Sequence, residues 1–334
     1  MWTAMNKSSR GKVPPAEIQS SSIRSASWRG VYNGMRAAFT GLISTENAPI
    51  TIAGFAFALI TFLAINLSTK LLNPNWVFMW AIAVVVYGTC KVLTWMRAQP
   101  AGNWRKSLVY LFFEPGLNAK RFLSDRSKVV LPCRSEWVCA SIFFLVGILS
   151  VAVIVPAIAI EQRSLTATVG MIGVVLILHF GFLDLLSLTL RSAGFASTSL
   201  MNEPWRATGV ADFWSRWNTG FRDLSREFIF YPLVRRKQAQ LGLWATFLFS
   251  GLVHDLVISI PAHGGYGLPT LYFLIQALAI SFERSRLGKT LQLNRGWTGW
   301  LFTAMTVLLP VSLLVHFPFQ ENVIIPMLRD LGNF

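Results

Sequence analysis

The chain has 334 residues, of which 53% are hydrophobic and only 13% are charged. Ordinary soluble domains carry about 25% charged residues, so a soluble fold of this length has no room for so much apolar surface. The composition therefore predicts an integral membrane protein rather than two soluble domains. The three cysteines (Cys90, Cys133 and Cys139) lack metal-ligand spacing, and we expect no metal site.

Residues 1–48 are rich in serine, arginine and glycine and contain no apolar stretch long enough for a cleaved signal peptide. We expect them to form a basic, partly mobile cytoplasmic segment. Within it, Trp28–Thr40 is suited to a short helix on the membrane surface. Residues 49–334 are predicted to form a single transmembrane domain.

Seven stretches approach the length of about 20 apolar residues that a membrane-spanning helix needs. They are Pro49–Leu67, Asn75–Met96, Trp137–Ile160, Thr166–Leu190, Gly242–Ile260, Gly267–Phe282 and Trp297–Phe319, of which the sixth is the shortest. The sequence thus predicts an all-α, polytopic transmembrane helical bundle of about seven spans.

The basic residues are distributed unevenly between the segments that join these spans. Alternate segments together hold 27 of the 30 lysines and arginines, and the remaining segments hold three. Cytoplasmic loops of membrane proteins collect lysine and arginine, so the N-terminus is predicted to be cytoplasmic and the C-terminus to lie on the opposite side. This distribution accounts for the net charge of +15 by contact with membrane lipids, without nucleic acid.

Ionisable residues inside spans are costly, and each is a candidate functional residue. His179 and Asp184 lie in the fourth predicted span, and His254 and Asp255 lie in the fifth. Because His254 follows Gly242 by about 18 Å of helix, it is expected near the middle of a core about 30 Å thick.

Helical spacing separates His254 from its acidic neighbour. Ser250 shares the face of His254, whereas Asp255 points about 100° away and shares a face with Ser259. A neutral imidazole is a suitable general base near neutral pH, so His254 is either a catalytic base or a structural histidine bonded across the bundle. His179 and Asp184 face different directions and are expected to be structural or to line a substrate site.

The long segment Arg191–Leu241 contains an apolar stripe. Its members are Phe213, Trp217, Phe221, Leu224 and Phe228, at spacings of 4, 4, 3 and 4. This period predicts a helix that lies at the cytoplasmic interface or enters the membrane as a re-entrant element. Asn218, beside Trp217, is either a surface residue or a hydrogen-bonding group aimed into a cavity, and spacing alone does not choose between these.

Two strings in this region match a known pattern. Asp212-Phe213-Trp214-Ser215-Arg216-Trp217-Asn218 is followed 32 residues later by Ser250-Gly251-Leu252-Val253-His254-Asp255. Together they resemble the motifs of the membrane-bound O-acyltransferase superfamily, and specifically its wax-synthase-like branch. Phe113-Glu114-Pro115-Gly116-Leu117 and His179-Phe180-Gly181-Phe182-Leu183-Asp184 are similar to further elements of that branch.

The resemblance implies a bundle that encloses a substrate tunnel, with acyl-CoA as co-substrate and no other cofactor. By the same resemblance, His254 is the catalytic base and Asn218 is the second active-site residue. We expect the substrates to be bound by residues near these two: Trp214, Trp217, Arg216, Ser250, His179 and Asp184. The sequence departs from the branch at Asp255, where plant wax synthases have glutamate, and at Ser215-Arg216, where two basic residues are common.

The predicted function is therefore transfer of a fatty acyl group from acyl-CoA to a lipophilic hydroxyl acceptor such as a long-chain alcohol. A sugar, sterol, glyceride or lysolipid acceptor is the nearest alternative. A proton-coupled transporter that uses His179, Asp184, His254 and Asp255 is a more distant one, disfavoured because we find no internal repeat. Basic residues such as Arg216, Arg222, Arg235 and Arg236 are candidates to meet either CoA phosphates or anionic lipids.

Overall fold

The computed structural model describes residues 73–98, 104–158 and 161–332. These residues form helices and loops and contain no β-strand. In chain order the helices are α1 (Asn75–Ala98), α2 (Trp104–Phe112), α3 (Ala119–Leu123), α4 (Arg134–Ala157), α5 (Arg163–Ser192), α6 (Val210–Arg216), α7 (219–235), α8 (Ala239–Ala262), α9 (Leu268–Glu283), α10 (Arg286–Thr290), α11 (Gly296–Leu314) and α12 (317–330). The predicted all-α architecture is confirmed for the described residues.

Five of these helices are long and apolar enough to cross a membrane, namely α1, α4, α5, α8 and α11. They correspond to five of the seven predicted spans, and the short sixth span corresponds to α9, a 16-residue apolar helix. The first predicted span, Pro49–Leu67, and the basic N-terminal segment lie outside the described residues.

The helices pack through two main apolar clusters. One joins α1, α4, α5 and α8 to α12, with Val323 and Leu328 fully buried. The other joins the short helix α6 to α8 and α9 around Val210, Phe247 and Phe273. The second cluster fixes α6 against two apolar helices, which places the Trp-rich motif beside the helix that carries His254.

Several helices contain a stretch with the wider π-helical geometry, and four such stretches come immediately before a proline-containing turn. The stretches are Ser150–Ile154, Arg226–Phe230, Asp255–Ser259 and Gln320–Ile324, followed by Pro156, Pro232, Pro261 and Pro326. A proline lacks the backbone N–H, and its ring clashes with the carbonyl four residues earlier in an ordinary α-helix. The wider turn relieves this clash, so each helix continues through its proline.

The C-terminal part of the chain differs from the prediction. The sequence placed the last span at Trp297–Phe319 and left the rest as an outer tail. In the structure α11 ends at Leu314, and residues 317–330 form α12, whose apolar face is buried in the first cluster. No helix was predicted after Phe319, because this helix is stabilised by packing rather than by local preference.

The aromatic stripe is also not one helix. Trp217 is extended, with ψ of 132°, and Asn218 is left-handed, with φ of 41°. The chain therefore bends between α6 and α7, and the continuous helix predicted from the spacing of aromatic residues is wrong at this point. The bend presents Trp217 and Asn218 at the junction of two short helices instead of along a regular face.

Candidate active site

The bundle contains a cavity of about 430 Å³ between α1, α5, α6, α7, α8 and α9. Six of the eight predicted site residues line it: Trp214, Trp217, Asn218, Ser250, His179 and His254. These residues come from three separate regions of the sequence, so the fold brings both motifs and the earlier histidine to one cavity. Most of the remaining wall is apolar, with aromatic rings from Phe221, Phe230, Phe247 and Phe273.

His254 is held by its own helix. Its Nδ1 lies 2.7 Å from the carbonyl oxygen of Ser250, one turn earlier. A carbonyl oxygen only accepts hydrogen bonds, so Nδ1 donates and carries the proton. In the neutral ring, Nε2 then keeps its lone pair and is the nitrogen that can take a proton. The ring of Phe273 packs at 4.5 Å between centroids and limits rotation of the imidazole.

The side chain of Asn218 is held through its acceptor oxygen, whereas that of His254 is held through a donor nitrogen. Its Oδ1 accepts a hydrogen bond from the backbone N–H of Phe221 at 3.1 Å, which caps the start of α7. The side-chain amide Nδ2 makes no hydrogen bond to another described residue and remains available as a donor. The cavity thus has a proton acceptor at His254 and an amide donor at Asn218.

His179 lies in a π-helical stretch of α5, Leu176–Phe182, and borders the same cavity. Its Nδ1 is buried, and no described residue offers it a hydrogen-bond partner. A buried polar atom without a partner costs about 1–3 kcal/mol, so such atoms are expected where a ligand completes the hydrogen bonding. His179 therefore differs from a purely structural histidine, whose buried nitrogens would be expected to have partners within the protein.

The two tryptophans of the first motif contribute ring surface. The indole N–H of Trp214 donates to Oε1 of Gln276 in α9 at 3.3 Å, and Gln276 is fully buried. Trp217 stacks on Phe213 at 5.6 Å and meets the edge of Phe180. Because the Trp214 nitrogen is already bonded, this residue presents an apolar ring to the cavity rather than a donor.

The N-terminus of α6 is also anchored. The carboxylate of Glu283, at the end of α9, accepts hydrogen bonds from the backbone N–H groups of Val210 and Ala211 at 2.6 and 3.4 Å. An acidic group at this position satisfies the unpaired amides and the positive end of the helix dipole. Sequence reasoning missed this role of Glu283, although an acidic residue at the end of an apolar span was a visible signal.

Two predicted site residues do not line the cavity. Arg216 pairs with Asp212 at 2.9 Å and reaches the carbonyl of Asn202. Asp184 accepts hydrogen bonds from the Ser199 hydroxyl at 2.5 Å and from the Leu200 N–H at 3.2 Å. Their predicted substrate-binding roles thus stay predictions, while their contacts are with neighbouring parts of the protein.

Positive charge does reach the cavity through other residues. Arg222, Arg226 and Arg284 line it, and only Arg222 was singled out among the candidates for phosphate contact. Part of the Arg222 guanidinium is occupied, since it bonds the Asp223 carboxylate and the Ser215 carbonyl. The cavity therefore combines apolar walls with arginines suited to an anionic group.

Comparison with known proteins supports the resemblance inferred from the two motifs. Residues 197–275 match the model of the membrane bound O-acyl transferase family. This segment is similar to that family. The acyltransferase segment contains Asn218 and His254 and extends over most of α6 to α9. The resemblance inferred from the two motifs is thus confirmed, and the chain is a multi-pass integral membrane protein.

Three relatives show how far the similarity extends. The chain is 32% identical over 99 residues to a probable long-chain-alcohol O-fatty-acyltransferase 8 of Arabidopsis thaliana, covering 27% of this chain and 30% of the relative. It is 31% identical over 87 residues to diacylglycerol O-acyltransferase 1 of Dictyostelium discoideum, covering 24% and 14%. It is 27% identical over 138 residues to diacylglycerol O-acyltransferase 1A of Glycine max, covering 38% and 28%. The chain thus matches less than a third of the length of each.

Proposed function

We propose that the protein transfers a fatty acyl group from acyl-CoA to the hydroxyl of a lipophilic acceptor, with a long-chain alcohol as the first candidate. The observation that carries the proposal is the pairing of His254 and Asn218 in one cavity. One presents a basic nitrogen and the other a free amide donor. The family match over residues 197–275 and the alcohol acyltransferase similarity support the same reaction class.

The proposed reaction needs one base and one carbonyl-polarising group. Nε2 of His254 takes the proton from the acceptor hydroxyl as its oxygen attacks the thioester carbonyl. The Asn218 amide donates to the carbonyl oxygen, which gains negative charge in the transition state. The C–S bond then breaks, the CoA sulfur leaves as a thiolate, and this thiolate recovers the proton from His254. The proposed reaction forms no covalent acyl-enzyme.

The apolar walls suit the greasy parts of both substrates. They also exclude water, which would otherwise hydrolyse the thioester. His179 is proposed to complete its hydrogen bonding on a substrate oxygen. Arg222, Arg226 and Arg284 are proposed to meet the CoA phosphates, with this side of the membrane as the cytoplasmic side and the cavity as part of a tunnel.

The hydroxyl acceptor has more than one candidate. Similarity to diacylglycerol acyltransferases favours a glyceride as the second candidate. A sugar, sterol or lysolipid acceptor and a proton-coupled transporter are the alternatives that the sequence leaves open. A transporter would move substrate across a membrane without forming a covalent product.

The experiment is an acceptor panel with the purified protein in lipid nanodiscs. Long-chain acyl-CoA is supplied with hexadecanol, a diacylglycerol, a sterol or a lysolipid, and ester products are measured by mass spectrometry. We expect the largest ester yield from hexadecanol, and the His254→Ala protein serves as the blank. His263→Asn is the matched control, because His263 is exposed and left-handed, a conformation that asparagine tolerates.

The outcomes separate the alternatives. A higher yield from diacylglycerol would replace the alcohol by a glyceride. No ester from any acceptor, together with flux of a substrate into vesicles, would overturn the acyltransferase reading in favour of transport.

A further inference from the structure

Lys91 lies within the apolar helix α1 and is only 2% exposed. Its Nζ donates a hydrogen bond to the carbonyl oxygen of Gly116 at 2.5 Å and lies 3.9 Å from the centre of the Tyr110 ring. Burying an ammonium group costs several kcal/mol unless it gains such partners, and an apolar side chain would fill the same space more cheaply. The position of Lys91 therefore needs an explanation beyond packing.

The segment that Lys91 binds is held from several directions. Glu114 is 5% exposed, and its Oε1 accepts a hydrogen bond from the Gly116 N–H at 3.0 Å. The Tyr87 hydroxyl lies 3.0 Å from the carbonyl oxygens of both Glu114 and Pro115. Burial raises the pKa of the Glu114 carboxyl, and the adjacent Lys91 ammonium opposes that rise. These contacts fix a short buried loop, residues 114–117, against α1.

This loop touches the turn that carries Asn218. Pro115 and Leu117 line the cavity, and the loop packs against Gly220, two residues after Asn218. A Cβ atom at Gly220 would lie 3.2 Å from the backbone nitrogen of Leu117 and 3.0 Å from Leu200 Cδ2. The loop and the first turn of α7 are therefore in direct backbone contact.

The opposite side of the same turn is held by Asp184. Asp184 bonds the Leu200 N–H, and the Leu200 carbonyl accepts a hydrogen bond from the Thr219 N–H at 2.9 Å. The Thr219 hydroxyl donates to the Ser199 carbonyl at the same distance. The turn at Asn218 thus lies between a segment held by Asp184 and a loop held by Lys91.

We propose that Lys91 is a positioning residue for Asn218, acting through the loop 114–117 and Gly220. The inference rests on the proposed function, because it gives Lys91 importance only if Asn218 contributes to the reaction. Lys91 itself does not line the cavity. Its charge and length set the place of the loop, and the loop sets the place of the amide that donates to the substrate.

The test replaces Lys91 by methionine, which has similar length and no charge. We expect the Lys91→Met protein to lose about 10- to 100-fold in kcat, as small displacements of positioned groups do, with the KM for acyl-CoA changed less than about twofold. Lys120→Met is the matched control, because Lys120 is more than half exposed and pairs with Glu227 nearby. Its activity should equal that of the parent.

A double-mutant cycle with Asn218→Ala distinguishes positioning from general weakening. If Lys91 acts through Asn218, adding Lys91→Met to Asn218→Ala should lower kcat by less than about twofold further. The same fold loss in both backgrounds, or unchanged activity in Lys91→Met, would overturn the proposal. If Lys91→Met does not fold, Gly220→Ala tests the same contact and is expected to show the same coupling.

Hydrogen exchange gives a readout that needs no activity. Lys91→Met should speed amide exchange in residues 114–118 and 218–222 but leave residues 239–254 unchanged. If Lys91→Met changed the exchange rate by the same factor in all three regions, or in none of them, the positioning link would be refuted even if the enzyme were active. Exchange could become faster only at the loop and at the Asn218 turn while the parent protein forms no ester. That result would support the link between Lys91 and Asn218 and would contradict the proposed function.

Discussion

The helix α8 carries two neighbouring ionisable residues with opposite surroundings. On the cavity side, His254 uses only Nδ1, and His179 across the cavity lacks a partner for its buried Nδ1 among the described residues. On the other side, Asp255 accepts hydrogen bonds from Ser259, from the backbone of Gly267 and from both donors of Thr270. The difference teaches that a polar residue in a span is a candidate for chemistry when its hydrogen bonding is incomplete, not merely because it is there.

We call the second group the carboxylate cluster, which consists of Asp255, Ser259, Thr270 and His316. His316 is 3% exposed, and its ring accepts a hydrogen bond from the Phe319 N–H through Nδ1 and meets the Ser259 hydroxyl through Nε2. Since Nδ1 accepts, the ring is neutral and Nε2 is the donor. The cluster ties α8 to α9 and to the start of α12, so it is expected to stabilise the fold rather than to act on a substrate.

The largest expected effect comes from removing the proposed base on the cavity side. His254→Ala should lower the rate of ester formation by about 10²- to 10⁴-fold, the usual contribution of a general base. Thermal unfolding in detergent should change less than activity, since the His254 side chain makes one hydrogen bond among the described residues, to the Ser250 carbonyl, and one ring contact, with Phe273. If His254→Ala kept full activity, or lost it only by unfolding, the two sides of α8 would not differ in the way described.

The second effect is on stability and comes from the carboxylate cluster. Asp255→Asn replaces an acceptor oxygen by an amide, which leaves at least one of the donors from Gly267 and Thr270 unpaired. We expect a loss of about 1–3 kcal/mol in the free energy of unfolding. Denaturation followed by tryptophan fluorescence measures it. The activity of the folded fraction should remain within a few-fold of the parent, and a larger fall would assign Asp255 to the chemistry.

A third, smaller effect concerns Gly251, where α8 and α9 approach closely. A Cβ atom there would lie 2.6 Å from Thr270 Cα, so Gly251→Ala must push α9 away from both the carboxylate cluster and His254. We expect a destabilisation of about 1 kcal/mol or more, as for other overpacked sites. Gly88→Ala in α1 is the matched control, because among the described residues no atom outside the adjoining helix backbone lies within 4 Å of the added carbon. Equal stability of the two variants would contradict the close approach.

The smallest effect is a pH dependence at His316. Burial lowers the pKa of this histidine, so the unfolded chain binds its proton more readily than the folded protein does. Stability from this site is complete above the unfolded pKa of about 6.5 and falls as the pH drops below it. Unfolding measured from pH 8 to 5 should show this decline, and His316→Asn should reduce it. If the stability of His316→Asn fell with decreasing pH as steeply as that of the parent, His316 would not be the cause of the decline.

Much of the fold follows from the sequence because long apolar runs have few alternatives in a bilayer. Predicted Trp137–Ile160 and Gly242–Ile260 became α4 and α8 with ends shifted by three residues or fewer. Helical spacing also placed Asp255 with Ser259, which the structure confirms with a hydrogen bond of 2.9 Å. The motif strings brought Asn218 and His254 together because their spacing resembles a known family, and that family is confirmed over residues 197–275.

The missed features are those that local pattern does not encode. The aromatic period continues through Trp217, although the chain bends there, because the bend is imposed by contacts of Asn218 with Met201 and Phe221. The π-helical stretches add a residue to a turn, so the regular helical spacing is not kept between residues on either side of them. The buried position of Lys91 depends on Gly116, 25 residues away, and no spacing rule reports such a partner.

The left-handed backbone at Asn218 has an evolutionary consequence. Glycine would fit the conformation but would supply no amide, and aspartate would keep the helix cap but would lose the donor. Glutamine would keep the amide on a longer chain but would be strained at a φ of 41°. If Asn218 is the proposed donor, this position must meet two requirements, the left-handed backbone and the side-chain amide, and asparagine is the residue that meets both. Any lineage that changed the chemistry here would also have to rebuild the turn.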